Sequence, residues 1–205
     1  MPIQEIVVAT GNPHKVEEIR AILGSCGVRV LSLDEVGGPY SEPEECGRTF
    51  QDNAKLKAVA YAKATGRVVL ADDSGLEVDA LHGEPGVDSA VWAGSEGTRS
   101  ERDERNNRKL AQRMRGVPPQ HRSARFVCCM CLAEPSGVVL ATTRGTLEGI
   151  IAESPQGTQG FGYDPWLWLE DVKCSSAQLV PAEKNARSHR GKAARAMVAA
   201  WQGLR

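Results

Sequence analysis

Two adjacent carboxylates, Asp72 and Asp73, are the residues whose type and position most favour chemistry. They end the apolar run 69–71 and are followed by Ser74 and Gly75. A strand ending here would place both aspartates at the carboxyl edge of an α/β sheet, where such folds bind ligands. Mg2+ is held in proteins by one or two carboxylates together with water and substrate phosphates. A turn that simply closes a strand is an equally good interpretation, because Asp and Ser cap turns readily.

The geometry of a strand sets a condition on this site. Neighbouring residues of a strand point to opposite faces of the sheet. Asp72 and Asp73 would therefore face one site only if the strand ends or bends between them, and Gly75 would permit such a bend.

The polar segment Thr10-Gly-Asn-Pro-His-Lys15 follows an apolar stretch, 3–9, and precedes apolar residues at helical spacing. The pattern predicts a strand, a turn and a helix, and Pro13 suits the first helical turn. Backbone amides and the helix dipole would attract an anion here, with the Lys15 side chain close by. A capped turn with a surface lysine is the alternative, since the segment lacks the Walker and G-x-G-x-x-G patterns.

A helix predicted from Thr49 carries a further candidate, Lys57. Thr49 and Asp52 form a pair like a capping box, while Asn53 and Lys57 are four residues apart and share a face. Lys57 either points at phosphate or is one of several surface lysines. The acidic loop 34–47 before this helix is available to supply a metal ligand, although acidic loops are more often simply solvated.

The glycine-rich segment 155–165 contains two aromatic residues, Phe161 and Tyr163. Such a loop brings backbone close to a ligand and offers a ring on which a base can stack, a contact worth about 1–3 kcal/mol in single-strand binders. A surface turn with buried aromatics is the alternative. The residues that follow, 166–169, are predicted to form a strand whose two tryptophans share one face.

A dense basic cluster lies in the segment 183–192. Ser188 is predicted to cap the final helix, which leaves His189 and Arg190 at the helix start. Cations there oppose the helix dipole, so the cluster favours a bound anion or acceptor over a role in solubility alone.

Length and composition limit the class of protein. The 205 residues suit one domain, 1–205, with two lobes, and the net charge of -1 gives no support for nucleic-acid binding. We find no targeting segment and no apolar stretch of membrane-spanning length, so a cytoplasmic protein without a membrane partner is expected. Three of the six cysteines fall in the stretch 124–133, which lacks the paired C-x-x-C spacing of zinc sites, and they are interpreted as buried thiols of a strand.

The remaining patterns predict an α/β fold with a mixed sheet. The opening strand, helix and second strand, 28–33, form a βαβ unit. Stretches 124–133 and 138–146 flank the turn Glu134-Pro-Ser-Gly137 and predict a hairpin. The highly charged stretch 98–115 predicts a solvent-exposed helix.

Five motifs occur along the chain in a characteristic order. They are Thr-Gly-Asn-x-x-Lys, Glu-Glu-x-Gly-x-Thr-Phe-x-x-Asn-Ala-x-x-Lys, Ala-Asp-Asp-Ser-Gly-Leu, Gly-Phe-Gly-Tyr-Asp-Pro and Lys-Asn-x-x-Ser-His-Arg. In the second motif, Cys46 stands where a threonine is expected. In this order they resemble the non-canonical purine nucleoside triphosphate pyrophosphatases, the inosine/xanthosine triphosphatase family. The resemblance runs from Ala9 to the final helix. Each motif alone is weak, but five in order are specific.

The resemblance implies a two-lobed single α/β domain, with a long mixed sheet flanked by helices and a substrate cleft between the lobes. It also implies a homodimer that hydrolyses ITP, dITP and XTP with Mg2+ to the monophosphate and pyrophosphate.

Residue roles are likewise implied by the resemblance. Glu45 and Asp73 would bind the metal, Asp73 would also accept a proton, Asp72 would support the metal shell, and Lys57 would act with them on the triphosphate. The other substrate contacts would be Thr10, Gly11, Asn12, Pro13, His14, Lys15, Ser74, Phe161, Gly162, Tyr163, Asp164, Lys184, His189 and Arg190, the last two reading the 6-oxo group.

Two other functions remain compatible with the sequence. One is a regulatory module that binds a purine nucleotide without hydrolysing it, which the clustered carboxylates argue against. The other is a related hydrolase that prefers pyrimidine or modified nucleotides.

Overall fold

The structure, a computed structural model, describes residues 4–202. Within them the chain forms five α-helices and seven strands, alternating in the first half. The helices are α1 (Pro13–Gly24), α2 (Phe50–Thr65), α3 (Arg99–Arg113), α4 (Pro181–Arg187) and α5 (His189–Gln202). The strands are β1 (Glu5–Ala9), β2 (Arg29–Ser32), β3 (Val69–Val78), β4 (Ser123–Ala133), β5 (Val139–Ile151), β6 (Leu167–Leu169) and β7 (Cys174–Ser175).

The strands form one mixed sheet in the order β2-β1-β3-β4-β5-β6-β7. Strand β1 pairs in parallel with β2 and with β3, as the predicted βαβ unit requires. Strand β6 is antiparallel to β5 and to β7. The predicted α/β fold with a mixed sheet is therefore confirmed, apart from the start of the first strand, since Ile3 lies outside the described residues.

Local capping explains where the long helices begin. Asn12 caps α1 by accepting from the His14 N–H, and Pro13 stands at the first helical position, where no N–H is needed. The Thr49 hydroxyl accepts from the Asp52 N–H and starts α2, as predicted. The Ser188 hydroxyl accepts from the Gly191 N–H at the start of α5. These caps were recognisable from residue types alone.

The chain divides into two compact units, in agreement with the two-lobed prediction. The first unit contains the chain up to Asp73, the segment Cys128–Thr146 and the chain from Arg187. Its core joins β1, α1, β3, β4 and α5 through buried residues such as Ile19, Leu70 and Met197. Cys128, Cys129 and Cys131 are buried free thiols of β4, which confirms their interpretation from sequence.

The second unit contains Ser74–Val127 and Leu147–Ala186. Its core includes Leu110, Tyr163, Trp166 and Leu167. The predicted strand over 166–169 is wrong at its first residue, because Trp166 closes a 3-10 turn and its N–H donates to the Tyr163 carbonyl. Pro165 favours this turn, since its fixed φ suits a helical start and it has no N–H to contribute to a strand.

Among residues 4–202, no helix combines the length and the apolar character needed to cross a membrane.

Candidate active site

Strand β3 runs without interruption through both aspartates to Val78, so the predicted end or bend at this point is wrong. Gly75 serves a different purpose from the one expected. A Cβ on Gly75 would collide with the Ser89 hydroxyl and the Gly86 carbonyl, so the glycine allows the backbone of another segment to approach closely. Because the strand stays regular, Asp72 and Asp73 point to opposite faces of the sheet.

Asp73 belongs to a group with α2 and the acidic loop. The Lys57 ammonium lies 2.9 Å from Asp73 Oδ1 and 3.1 Å from Glu45 Oε2, so it bridges the two carboxylates predicted to bind metal. Asn53, one helical turn before Lys57, directs its Nδ2 to Asp73 Oδ2 at 3.4 Å. Asp73 and Lys57 are both buried, whereas the Glu45 side chain is about one third exposed. Lys57 is thus part of the site rather than a surface lysine.

The charges of this group are set by burial and by each other. Burial raises the pKa of Asp73 above its ordinary value, although Lys57 and Lys15 act in the opposite direction. Burial opposes the charge of Lys57, but Asp73, Asp72 and Glu45 outweigh it and raise the pKa of the ammonium. Asp73 is consequently a carboxylate with an increased affinity for a proton, next to a lysine that stays charged.

Asp72 belongs to a second group on the other face of β3. Its Oδ2 lies 3.1 Å from the Lys15 ammonium and 3.3 Å from Nη2 of Arg190. Arg190 also donates to Glu18 through Nη1. Burial alone would raise the pKa of Asp72, but the charges of Lys15 and Arg190 hold it well below its ordinary value. Asp72 is therefore ionised at neutral pH.

At the basic start of α5, Arg190 donates to carboxylates of the same chain. Arg190 is 1% exposed and its guanidinium is held by Asp72 and Glu18. The carboxylates against Arg190 belong to the chain itself, Asp72 and Glu18, so the bound anion or acceptor expected for this basic cluster stays a prediction. His189, the first residue of α5, is also buried.

The loop before α1 offers fewer backbone donors than its sequence predicted. The His14 N–H donates to Asn12 Oδ1, and the N–H groups of Lys15 and Val16 donate to the Asn12 carbonyl. The Asn12 N–H donates to the Thr10 hydroxyl. Among the described residues Asn12 Nδ2 is buried without a hydrogen-bond partner. The N–H groups of His14, Lys15 and Val16 are therefore used within the chain, and an anion site at this helix start stays a prediction.

In the second unit, the glycine-rich segment 155–165, here called the aromatic loop, is arranged around Asp164. This carboxylate is 3% exposed and accepts from the Phe161 N–H, the Ser176 hydroxyl and the Lys184 ammonium at 2.7–2.8 Å. Gly160 lies directly against Asp164 and Lys184, where a Cβ would collide with both. Lys184 Nζ also lies 5.4 Å from the centre of the Phe161 ring. Asp164 is therefore the residue that fixes the loop, and Lys184 is its partner.

The two aromatics of this loop have different environments. Tyr163 is buried in the core, and its hydroxyl donates to the Ser89 carbonyl at 3.0 Å. Burial and the nearby charge of Asp103 raise the pKa of Tyr163. Phe161 is only partly buried, as are Gly162 and Ser74. Of the two rings, Phe161 is the one that can stack on a base.

Sequence reasoning did not assign a role to Glu18 or Asn53. Each lies one helical turn from a lysine of the site, Glu18 after Lys15 and Asn53 before Lys57. That spacing places the pairs on common helix faces. The sequence therefore contained a signal for both residues, although not the identity of their partners.

The residues present fit a hard divalent cation. Asp73 and Glu45 supply carboxylate oxygens of the kind that Mg2+ prefers. Within residues 4–202, no cluster of three or more His, Cys, Asp or Glu side chains is arranged to hold a metal by itself. Two carboxylates plus phosphate and water match the usual way in which proteins bind Mg2+.

Comparison with known proteins agrees with the motifs. A dITP/XTP pyrophosphatase of Desulforamulus reducens is 48% identical over 189 residues, which cover 92% of this chain and 91% of that protein. The structure of the Staphylococcus aureus Ham1 protein matches with a TM-score of 0.83 at 37% identity, covering 98% of this chain and all of that one. A HAM1 protein from Coxiella burnetii matches with a TM-score of 0.84 at 36% identity, covering 99% of this chain and all of that one.

A model of the Ham1 family matches residues 6–200. That match spans both groups of site residues and nearly the whole described chain. The resemblance drawn from the five motifs is confirmed, and this chain belongs to the Ham1 family.

Proposed function

We propose that this protein hydrolyses the non-canonical purine triphosphates ITP, dITP and XTP to the nucleoside monophosphate and pyrophosphate. The observation that carries the proposal is the bridge of Lys57 between Asp73 and Glu45, on the strand whose other carboxylate is paired with Lys15. Cleavage of a phosphoanhydride needs charge neutralisation and an oriented water more than covalent catalysis. Two lysines and three carboxylates supply those functions. The curated relative from Desulforamulus reducens, named for this activity, supports the choice of substrate.

We propose that Mg2+ is the cofactor, held by Glu45 and Asp73. The cation would neutralise phosphate charge and polarise the bond that breaks. Asp73 would take the proton of the attacking water, in keeping with the raised pKa of this carboxyl. Lys15 and Lys57 would place positive charge against the triphosphate. Asp72 would hold Lys15 in position, since it is itself held by Arg190.

The metal assignment leads to a prediction for Glu45→Gln. We expect the Mg2+ concentration for half-maximal activity to rise at least about tenfold, because an amide is a weaker ligand than a carboxylate and the site has few others. A Mg2+ titration of initial rates measures the change. Glu44→Gln, an exposed neighbour in the same loop, serves as the control and should behave like the wild type. An unchanged Mg2+ requirement in Glu45→Gln would remove this residue from the metal site.

We propose that Phe161 is a stacking surface for the base. We also propose, as the family resemblance implies, that His189 donates to the 6-oxo group. An adenine amino group would leave that donor facing another donor, which is a costly mismatch in a buried site. Arg190 serves this recognition by holding the start of α5 against Asp72 and Glu18. Lys184, fixed by Asp164, would face the base and sugar.

His189→Ala should narrow the difference in kcat/KM between ITP and ATP. The loss of one directed hydrogen bond predicts a ratio of kcat/KM values that falls by about tenfold or more. Steady-state rates with both nucleotides measure the ratio. Arg187→Ala, a basic residue just before the cap of α5, is the control. If the ratio stays constant in His189→Ala, another residue reads the base.

A substrate panel tests the proposed specificity. We expect kcat/KM for ITP, dITP and XTP to exceed that for ATP, which lacks the 6-oxo group, by orders of magnitude. Comparable kcat/KM values for all four nucleotides would indicate a general nucleotide hydrolase. Binding of a purine triphosphate without turnover would favour the regulatory module.

We also propose that the protein is a homodimer in the cytoplasm, as the family resemblance implies. Its six cysteines are all free thiols, which accords with a reducing compartment. Light scattering coupled to size exclusion would report a mass of twice 22.1 kDa for the dimer and the single-chain mass if the proposal is wrong.

A further inference from the structure

Helix α3 contacts the aromatic loop through a row of polar side chains. Arg99, Asp103 and Asn107 are spaced four residues apart, so they lie along one face of the helix. Asp103 Oδ2 accepts from the Gly162 N–H at 3.1 Å, and Asn107 Nδ2 donates to the Gly162 carbonyl at 3.1 Å. The Arg99 guanidinium lies 5.1 Å from the centre of the Phe161 ring. The sequence predicted only a solvent-exposed helix here.

Consecutive backbone groups of the loop are hydrogen-bonded to side chains. The Phe161 N–H donates to Asp164, and both the N–H and the carbonyl of Gly162 are bonded to α3. Gly162 has a φ of 60°, in the left-handed region that favours glycine. A loop held in this way by side chains has little freedom to rotate its backbone, so the position from which the Phe161 side chain extends is set before a ligand arrives.

Asn106, the residue of α3 next to Asn107, contacts the segment 89–93, which in turn contacts the aromatic loop through Tyr163. Asn106 donates to the carbonyls of Ser89 and Ala90 and accepts from the Ala93 N–H. The Ser89 carbonyl also accepts from the Tyr163 hydroxyl. Asn106 thus fixes the segment that anchors Tyr163, while Asn107 fixes Gly162 beside it.

Helix stability does not explain this choice of residues. Asp and Asn are poor helix formers in a helix interior, where Ala would be better. In addition, Asn107 Oδ1 is buried without a hydrogen-bond partner among residues 4–202, which costs free energy. The amide is therefore retained at some expense to the fold, and its Nδ2 contact with the loop is what it provides.

We propose that Asp103 and Asn107 are positioning residues that preorganise Phe161 for stacking on the purine base of the triphosphate. Neither residue needs to touch the substrate. Preorganisation raises affinity because less freedom is lost on binding. The inference rests on the proposed function, and within it assigns to α3 the control of base binding rather than of phosphate chemistry.

The test uses Asn107→Ala and Asp103→Ala, assayed with ITP and Mg2+. We expect KM to rise roughly tenfold in each, with kcat within about twofold, because the effect is on base stacking. Asp103→Asn keeps an oxygen acceptor for the Gly162 N–H and should restore most of the affinity. Glu104→Ala is the matched control and should leave KM unchanged. It removes a carboxylate from the same helix, and the partner of that carboxylate is the exposed Arg108. Both alanines favour the helix, and thermal melts verify the fold.

Combination with Phe161→Ala separates positioning from general damage to the structure. If Asn107 acts through the ring, Asn107→Ala should add nothing to the KM of Phe161→Ala, so the two effects are far from additive. Fully additive effects, a wild-type KM in Asn107→Ala and Asp103→Ala, or an equal rise in Glu104→Ala would each overturn the proposal. Absence of turnover in the wild type would instead reject the proposed function.

Discussion

Asp73→Asn should lower kcat by about 10²–10⁴-fold while the protein stays folded, which is the range expected when a proton acceptor is removed. The amide cannot take a proton from water and is a poor metal ligand. Lys57 keeps Glu45 as a partner at 3.1 Å, so the buried ammonium is not left without a carboxylate. Steady-state turnover of dITP with Mg2+ measures the effect, and far-UV circular dichroism checks the fold.

A control for this substitution is Asp52→Asn. Asp52 lies on α2 at the exposed start of the helix, where its carboxylate bonds only the capping Thr49 among the contacts described. We expect its kcat to stay within about twofold of the wild type, with a small loss of stability from the weaker cap. Normal turnover in Asp73→Asn would mean that another group accepts the proton.

Arg190→Met should have the largest effect on stability. Arg190 is buried, and its loss would leave Glu18 without this partner and Asp72 with Lys15 as its remaining cation. Removing one member of a buried charge pair costs about 3–5 kcal/mol. Urea unfolding at pH 7 in the presence of chelator measures the free energy of unfolding.

Arg29→Met provides the matched comparison. Arg29 forms an exposed ion pair with Glu5 at 3.0 Å, and its side chain is 73% exposed. Exposed pairs contribute about 0–1 kcal/mol. Equal losses in the two variants would show that the pairing of Arg190 with Asp72 and Glu18 does not stabilise the fold.

The pairing of Asp72 with Arg190 also predicts that the stability of the fold depends on pH. The pKa of Asp72 is lower in the folded protein than in the unfolded chain, so its ionised form contributes stability above the unfolded pKa, which is near 4. That contribution decreases as the pH falls from about 5 through the folded pKa. The difference in the free energy of unfolding between the wild type and Arg190→Met should therefore be largest near pH 7 and become smaller in acid.

The features readable from the sequence were those fixed by neighbours in the chain. The caps at Asn12, Thr49 and Ser188 and the hairpin turn at 134–137 depend on residues a few positions apart, and all are present. The family was readable because five short motifs occur in order. Local chemistry and motif order were thus sufficient for the fold class.

The features that escaped prediction depend on residues distant in the chain. Gly75 lies directly against Ser89 and Gly86, and β3 continues to Val78 where a bend was expected. Arg190 finds Glu18 from a position 172 residues away. The contacts of α3 with Gly162 join residues more than fifty positions apart. No periodicity or spacing reports such pairs.

Phosphorus NMR of the products shows whether the bond between the α and β phosphates is the one that breaks. The purified protein would be incubated with Mg2+ and dITP, and separately with XTP. We expect pyrophosphate and the nucleoside monophosphate as the first products. Orthophosphate and the nucleoside diphosphate as first products would place the cut at the terminal phosphate and contradict this expectation.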